Sequence, residues 1–321
     1  MQYRTFAGKK TAAIVLGGGS FGFPLSEEQS FEFMDAYVAL GGNFIDTARI
    51  YGDLFHGRQG LSEQAIGRWM AARHNRESIT LSTKGGHPPL QDMRAGRLGR
   101  ADLESDLSES LDALQTDYAD VYFLHRDDVS RPVGDILETL NRFVADGKVR
   151  VLGASNWTAA RIAEANDYAA AHGMTGFGAD QPQFSLARQA LVEDPTLVQM
   201  DDELHAFHAR TGMPCLCFSS IAKGFFTKLQ QVGEAGLPDK AKRRFLTAEN
   251  LAVYERLLAL SRETGHSVHA LSIAYLTSQP FDTYPICGSS RLEQVLALKG
   301  AGDVRLTAEQ VDFLRGFNEP A

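Results

Sequence analysis

Residues 78–125 read SITLSTKGGHPPLQDMRAGRLGRADLESDLSESLDALQTDYADVYFLH. An apolar run ends at Lys84, a polar loop and a helical period follow, and a second apolar run ends at His125. In the middle, Leu103, Leu107, Leu111 and Leu114 recur at three- and four-residue spacing. That spacing puts all four on one face of a helix. The flanking runs are short, rich in β-branched and aromatic residues, and bounded by glycine or polar residues, as buried strands are. A strand, a helix and a strand in this order predict a right-handed β-α-β unit, and so a parallel sheet.

The unit recurs in both directions. TAAIVLG precedes SEEQSFEFMDAYVALGG, where Ser26 and Gln29 have capping-box spacing, Phe33, Tyr37 and Leu40 share a face, and Gly41–Gly42 ends the helix. FIDT precedes LSEQAIGRWMAAR, VYFLH precedes GDILETLNRFVADG, and VRVLGAS precedes TAARIAEANDYAAAHG. FGADQPQ, PCLCFSS and YPICGSS follow. Eight apolar runs alternating with helical segments predict a closed (β/α)8 TIM barrel of the α/β class, with extended loops at its C-terminal face. QYRTF–AGKK–TAAIV reads as an N-terminal β-hairpin plugging the barrel. With no low-complexity stretch or Pro/Ser-rich linker, residues 1–321 are expected to form a single barrel domain.

Composition narrows the function. At 44% hydrophobic and 22% charged, the 321 residues suit a globular protein with a large core. A net charge of -8 argues against nucleic acid as a partner. The densest basic cluster, KAKRR ending at Arg244, reads as a solvated loop. Three cysteines do not suggest a disulfide framework: Cys215 and Cys217 are i, i+2 neighbours pointing the same way, which leaves Cys287 alone. No run approaches the roughly 20 apolar residues of a membrane span, and the N-terminus lacks a signal-peptide core. The expectation is a cytoplasmic protein, monomeric or a small homo-oligomer, with no membrane partner.

In a barrel of this kind function lies at the C-terminal ends of the strands. Asp46, Lys84, His125, Ser155–Asn156, Gln181, Ser219 and Gly288–Ser290 all fall there, with Tyr51 just beyond FID. A rival reading takes Gly17, Gly19 and Gly22 as a G-x-G-x-x-G fingerprint, with Asp46 on a cofactor ribose. It fails in detail. The third glycine should lie inside a helix that opens at the motif, whereas Phe23–Pro24 follows and the capping signal delays the helix to Ser26.

Asp46, Tyr51, Lys84 and His125 together suit proton transfer to a carbonyl reduced by hydride. The developing alkoxide needs an acid, and a phenol is a poor one unless a neighbouring cation stabilises its phenolate. Lys84 supplies that charge, Asp46 keeps the ammonium protonated and in place, His125 holds the carbonyl oxygen, and Tyr51 gives the proton.

FIDTARIYGD, LSEQAIG, STKGG, LHRDD, LGASNW, QPQFSLA, FSSIAKGFF and ICGSSRLEQV, in that order, resemble the aldo-keto reductase family across nearly the whole chain. The resemblance implies a metal-free (β/α)8 oxidoreductase using NADP(H), with NAD(H) the alternative, and interconverting an aldehyde or ketone with its alcohol. It places the catalytic tetrad on the same four residues. It also implies cofactor contacts from Gly19, Ser20, Phe21 and Asp46, and puts the nicotinamide carboxamide on Ser155, Asn156 and Gln181. Phe218 would stack on the nicotinamide. Ser219, Ser220, Ile221 and Lys223 would line the pyrophosphate, with residues 224–244 a flap over it. Gly288, Ser289, Ser290, Arg291 and Gln294 would meet the adenosine phosphate. Here the chain departs from the pattern: where many relatives carry a Glu-Asn pair, the stretch reads Gln294, then Ala297 and Leu298.

Substrate choice should fall to the loops after Tyr51, Lys84 and His125. Phe55, His56, Asp127 and Trp157 are expected wall residues, while Arg94, Arg97 and Arg100 read as solvated or as drawing an anionic substrate. The hydrophilic loops favour sugars or small hydroxylated carbonyls, and the stop at Ala321 suggests that a C-terminal closing loop is absent. Two other functions fit the fold: a cofactor-binding regulatory subunit with little turnover, and a metal-dependent hydrolase built on His87, His125, Asp127 and Asp128.

Overall fold

The computed structural model describes residues 1–52 and 60–316. The hairpin strands are β1 (Tyr3–Phe6) and β2 (Lys9–Ala12). The barrel strands are β3 (Val15–Gly17), β4 (Phe44–Asp46), β5 (Thr80–Gly85), β6 (Ala119–Leu124), β7 (Val149–Ser155), β8 (Ala179–Gln181), β9 (Cys215–Cys217) and β10 (Thr283–Gly288). All eight pair in parallel in chain order, and β10 pairs with both β9 and β3 to close the barrel. Each of the eight expected runs supplies one strand.

The helices between them also follow the sequence. Helix Glu27–Ala39 opens on the Ser26–Gln29 capping box and is followed by Gly41 at φ 87°. Helix Arg100–Leu114 buries its leucine stripe, each full burial contributing roughly 2 kcal/mol. Inside the barrel, Phe6 of the hairpin packs with Val15, Phe44, Val121, Phe123 and Tyr284. Lys9 reaches Asp120 at 3.0 Å and Arg4 donates to the Thr277 carbonyl at 2.7 Å. The hairpin is therefore a plug at the N-terminal end.

Two expectations are corrected. KAKRR is no loop: it lies in helix Asp239–Phe245, where Phe245 enters the core and Arg244 pairs with Glu193. Burial of an aromatic at one end turns a basic run into the exposed face of a helix. Residues 224–244 are likewise packed, because Phe225, Phe226, Leu229 and Leu237 belong to the main core. Cys215 and Cys217 point the same way, with Sγ atoms 3.8 Å apart, and all three cysteines are free and buried. Among the described residues no helix is long and apolar enough to cross a membrane.

Candidate active site

Strand register assembles the site. Asp46 at the end of β4 lies opposite Ser82 of β5, and Lys84 follows two residues later on the same face. Lys84 Nζ donates to Asp46 Oδ2 and to the Thr47 carbonyl, both at 2.7 Å. Asp46 Oδ1 accepts from Ser82 Oγ at 2.7 Å and from Gln181 Nε2 at 3.0 Å. Lys84 and Asp46 are almost wholly buried. Burial alone would push the ammonium down, but attraction to Asp46 and then Tyr51 outweighs it and holds the Lys84 pKa above its ordinary value.

Tyr51 lies in the loop after β4, with Lys84 Nζ 5.1 Å from its ring centre. His125, just beyond β6, continues the inward face of Val121 and Phe123. Its ring meets Tyr51 edge-on at 6.0 Å and His87 edge-on at 4.7 Å between centroids. Burial, with smaller contributions from His87, Arg126 and Lys84, drives the His125 pKa well below its ordinary value. The imidazole is neutral at working pH, and its Nδ1 is buried without a partner. The structure thus brings Asp46, Tyr51, Lys84 and His125 to one mouth.

The other strand ends form a connected polar ring. Ser155 Oγ donates to the Gln181 carbonyl at 2.7 Å. Asn156 Nδ2 donates to the His125 carbonyl and to Ser155 Oγ, both at 3.1 Å. Asn156 Oδ1 accepts from Val198 N at 3.1 Å. Gly19 lies beside the Tyr51 ring, Ser20 is half-buried, and Phe21 is a core side chain. Phe218 is half-buried against the barrel interior. Ser220 Oγ donates to the Ile286 carbonyl at 2.7 Å.

From Ser219 to Gly224 the backbone makes a tight turn, with positive φ at Ser219, Ala222, Lys223 and Gly224. A small cleft adjoins it, lined by Ser220, Ile221, Ala222, Phe226 and His269 among others. The Lys223 ammonium is pushed down by burial first, then by Arg244, Lys240 and Lys228. At the end of β10, Gln294 Oε1 accepts from Ser290 N at 2.9 Å and Arg291 N at 3.3 Å. Gln294 therefore caps its own helix start, beside a half-open Gly288–Ser289 turn and an exposed Arg291.

Of the expected wall residues, Phe55 and His56 lie outside the described residues. Trp157 is buried edge-on against Phe177 in the outer layer. Asp127 is held by Arg161 Nε at 3.3 Å. Arg97 grips Asp106 through two bonds at 2.6 and 2.7 Å, and Arg100 pairs with Glu104 at 2.7 Å. Both pairings are structural. Nor do His87, His125, Asp127 and Asp128 converge: Asp128 turns to Ser130 at 2.5 Å. Among the described residues no three His, Cys, Asp or Glu side chains are grouped to hold a metal.

The first turn of helix Leu61–Arg73 was not read as part of the site. Ser62 Oγ donates to the Gly18 carbonyl and accepts from Thr47 Oγ1, both at 2.7 Å, while Ser62 N donates to the Tyr51 carbonyl at 3.3 Å. Glu63, fully buried, accepts from Thr83 Oγ1 on the outer face of β5. The one available signal was that LSEQAIG follows the tyrosine loop directly.

By fold the chain is a (β/α)8 barrel. A model of the Aldo/keto reductase family matches residues 13–319, and the chain belongs to that family. It is accordingly an oxidoreductase of the carbonyl–alcohol couple, in a family that generally uses NAD(P)H. It is 30% identical to an aryl-alcohol dehydrogenase of Pestalotiopsis microspora, over 97% of this chain and 80% of that protein. It is 27% identical to norsolorinic acid reductase B of Aspergillus parasiticus, over 97% of this chain and 81% of that one. Among solved structures, the thermostable aldo-keto reductase Tm1743 with the inhibitor epalrestat has the same fold. Its TM-score is 0.73 at 21% identity, over 99% of this chain and 100% of that one.

Proposed function

We propose that this chain is an NADP(H)-linked reductase that interconverts an aldehyde or ketone with its alcohol, with Tyr51 as general acid and base. The observation that carries the reading is the buried Lys84 ammonium, bonded to Asp46 and seated beside the Tyr51 ring. A cation there stabilises the phenolate left after proton transfer, which makes the phenol a usable acid. Asp46 offsets the cost of burying that cation. Neutral His125, with Nδ1 unpartnered, keeps its proton on Nε2 and donates it to the carbonyl oxygen.

The surrounding residues fit a nicotinamide dinucleotide, which supplies the hydride when bound. Gln181 Nε2 is held by Asp46, so its Oε1 is left to accept from a carboxamide. The positive-φ turn at Ser219–Gly224 has the backbone form of anion-binding turns, with Ala222 N and Gly224 N already donating within it. Lys223 and its basic neighbours favour a pyrophosphate there, and exposed Arg291 suits a 2′-phosphate. Phe21 serves through its backbone only. Residues 1–321 act in this reading as one barrel domain. The relatives' names bring aryl carbonyls forward as substrates beside small hydroxylated ones.

The test is to follow reduced-cofactor absorbance with NADPH or NADH across aryl and hydroxylated aliphatic aldehydes. Turnover with NADPH that falls about 10²- to 10⁴-fold in Tyr51→Phe supports the proposal. Binding of NADPH without turnover across the panel would favour a regulatory subunit, and a strong NADH preference would remove the Arg291 assignment.

A further inference from the structure

His87 follows β5 by two residues and meets the His125 ring edge-on, with centroids 4.7 Å apart. Its Nδ1 is 2.6 Å from the Pro88 carbonyl. A carbonyl only accepts, so Nδ1 carries the proton and Nε2 of the neutral ring is a bare lone pair. Among the described residues Nε2 has no partner, and it is not buried. The mouth of the site therefore holds an unused acceptor next to the imidazole that receives the carbonyl oxygen.

We propose that His87 selects substrate: its Nε2 accepts a hydrogen bond from a hydroxyl on the carbon next to the reacting carbonyl. The proposal rests on the reductase reading above. The two oxygens of an α-hydroxy carbonyl are neighbours, as the two rings are, so one molecule can meet His125 with its carbonyl and His87 with its hydroxyl. An acceptor without a donor favours the hydroxylated compound over its methyl isostere, which leaves the lone pair desolvated and unpaired. The groups around His87 keep the acceptor available. Burial is the largest influence and lowers its pKa; the Pro88 carbonyl opposes it, and the smaller effects of Arg126, Asp194 and Arg97 leave the pKa below its ordinary value; His125 beside it is neutral.

The experiment compares kcat/KM for 2-hydroxypropanal and 2-methylpropanal, which differ by a hydroxyl in place of a methyl. The wild type should prefer the hydroxylated aldehyde about two- to tenfold. His87→Phe should abolish the preference, and His87→Gln, which restores an acceptor near the Nε2 position, should recover part of it. In the wild type the ratio should hold from pH 8 to pH 7 and fall once acid protonates His87. A ratio near one in the wild type, or an unchanged ratio in His87→Phe, overturns the proposal. Failure to reduce either aldehyde, or any other carbonyl compound, would sink the reductase reading first and this one with it.

Discussion

A neutral imidazole and a charged amine stand within one mouth, and their ionisation states have opposite origins. Burial dominates at His125 and removes its charge, whereas Asp46 outweighs burial at Lys84 and retains it. His125 should therefore leave no ionisation in the ordinary histidine range. With kcat measured from pH 8 to pH 6, a plateau is expected, and a halving near 6.5 would mean a charged imidazole takes part. Lys84→Met makes the complementary point, because it leaves Asp46 buried without its cation. Removing one partner of a buried pair costs about 3–5 kcal/mol, so chemical denaturation should reveal a large loss of stability along with the loss of turnover.

Among the elements, helix Leu61–Arg73 holds the site together from behind. Its Glu63 faces Thr83 on the outer side of β5 while Lys84, one residue on, faces in. Burial, opposed by the bond from Thr83, by the nearby Ser110 hydroxyl and by Arg49 and Lys84, raises the Glu63 pKa to about 7. A carboxyl whose folded pKa is raised contributes stability that is fully present below its unfolded pKa near 4.5 and lost as pH rises through 7. Stability should then fall by up to about 3 kcal/mol over that window, and Glu63→Gln should flatten the slope in urea melts at pH 5 and pH 8. The contact also marks what the sequence could not reveal. The leucine stripe and the Ser26 cap are local patterns and were legible. Thr83 and Glu63 stand 20 residues apart, and Ser62 and Gly18 stand 44 apart; nothing local in either segment names the other.

At the scale of the whole molecule, barrel closure made the tetrad legible. Once eight runs are known to close, residues at successive strand ends must converge, whatever lies between them. Asp46, Lys84 and His125 needed only that topology. The cofactor end was harder, since loops rather than strands decide it. The Phe21 side chain lies in the core and Gln294 accepts from the turn that precedes it, neither of which the neighbouring sequence announces. KAKRR is opaque for a similar reason: only packing tells that Phe245 draws a charged run into a helix.

Closure also has a consequence for Cys215, Cys217 and Cys287, which sit on adjacent strands behind the helical layer. Burial pushes Cys287 up to about 12 and Cys215 well above the ordinary thiol value. Thiolates are the reactive species and all three sulfurs are buried, so an alkylating reagent reaches none while the strands remain joined. The three sulfurs form a built-in clock: native protein should label only as fast as β9 and β10 come apart. If cofactor binding stabilises the barrel, mass spectrometry should record the same modification on a slower timescale. Labelling that is rapid in the native protein and indifferent to NADPH would mean that this wall of the barrel opens on its own.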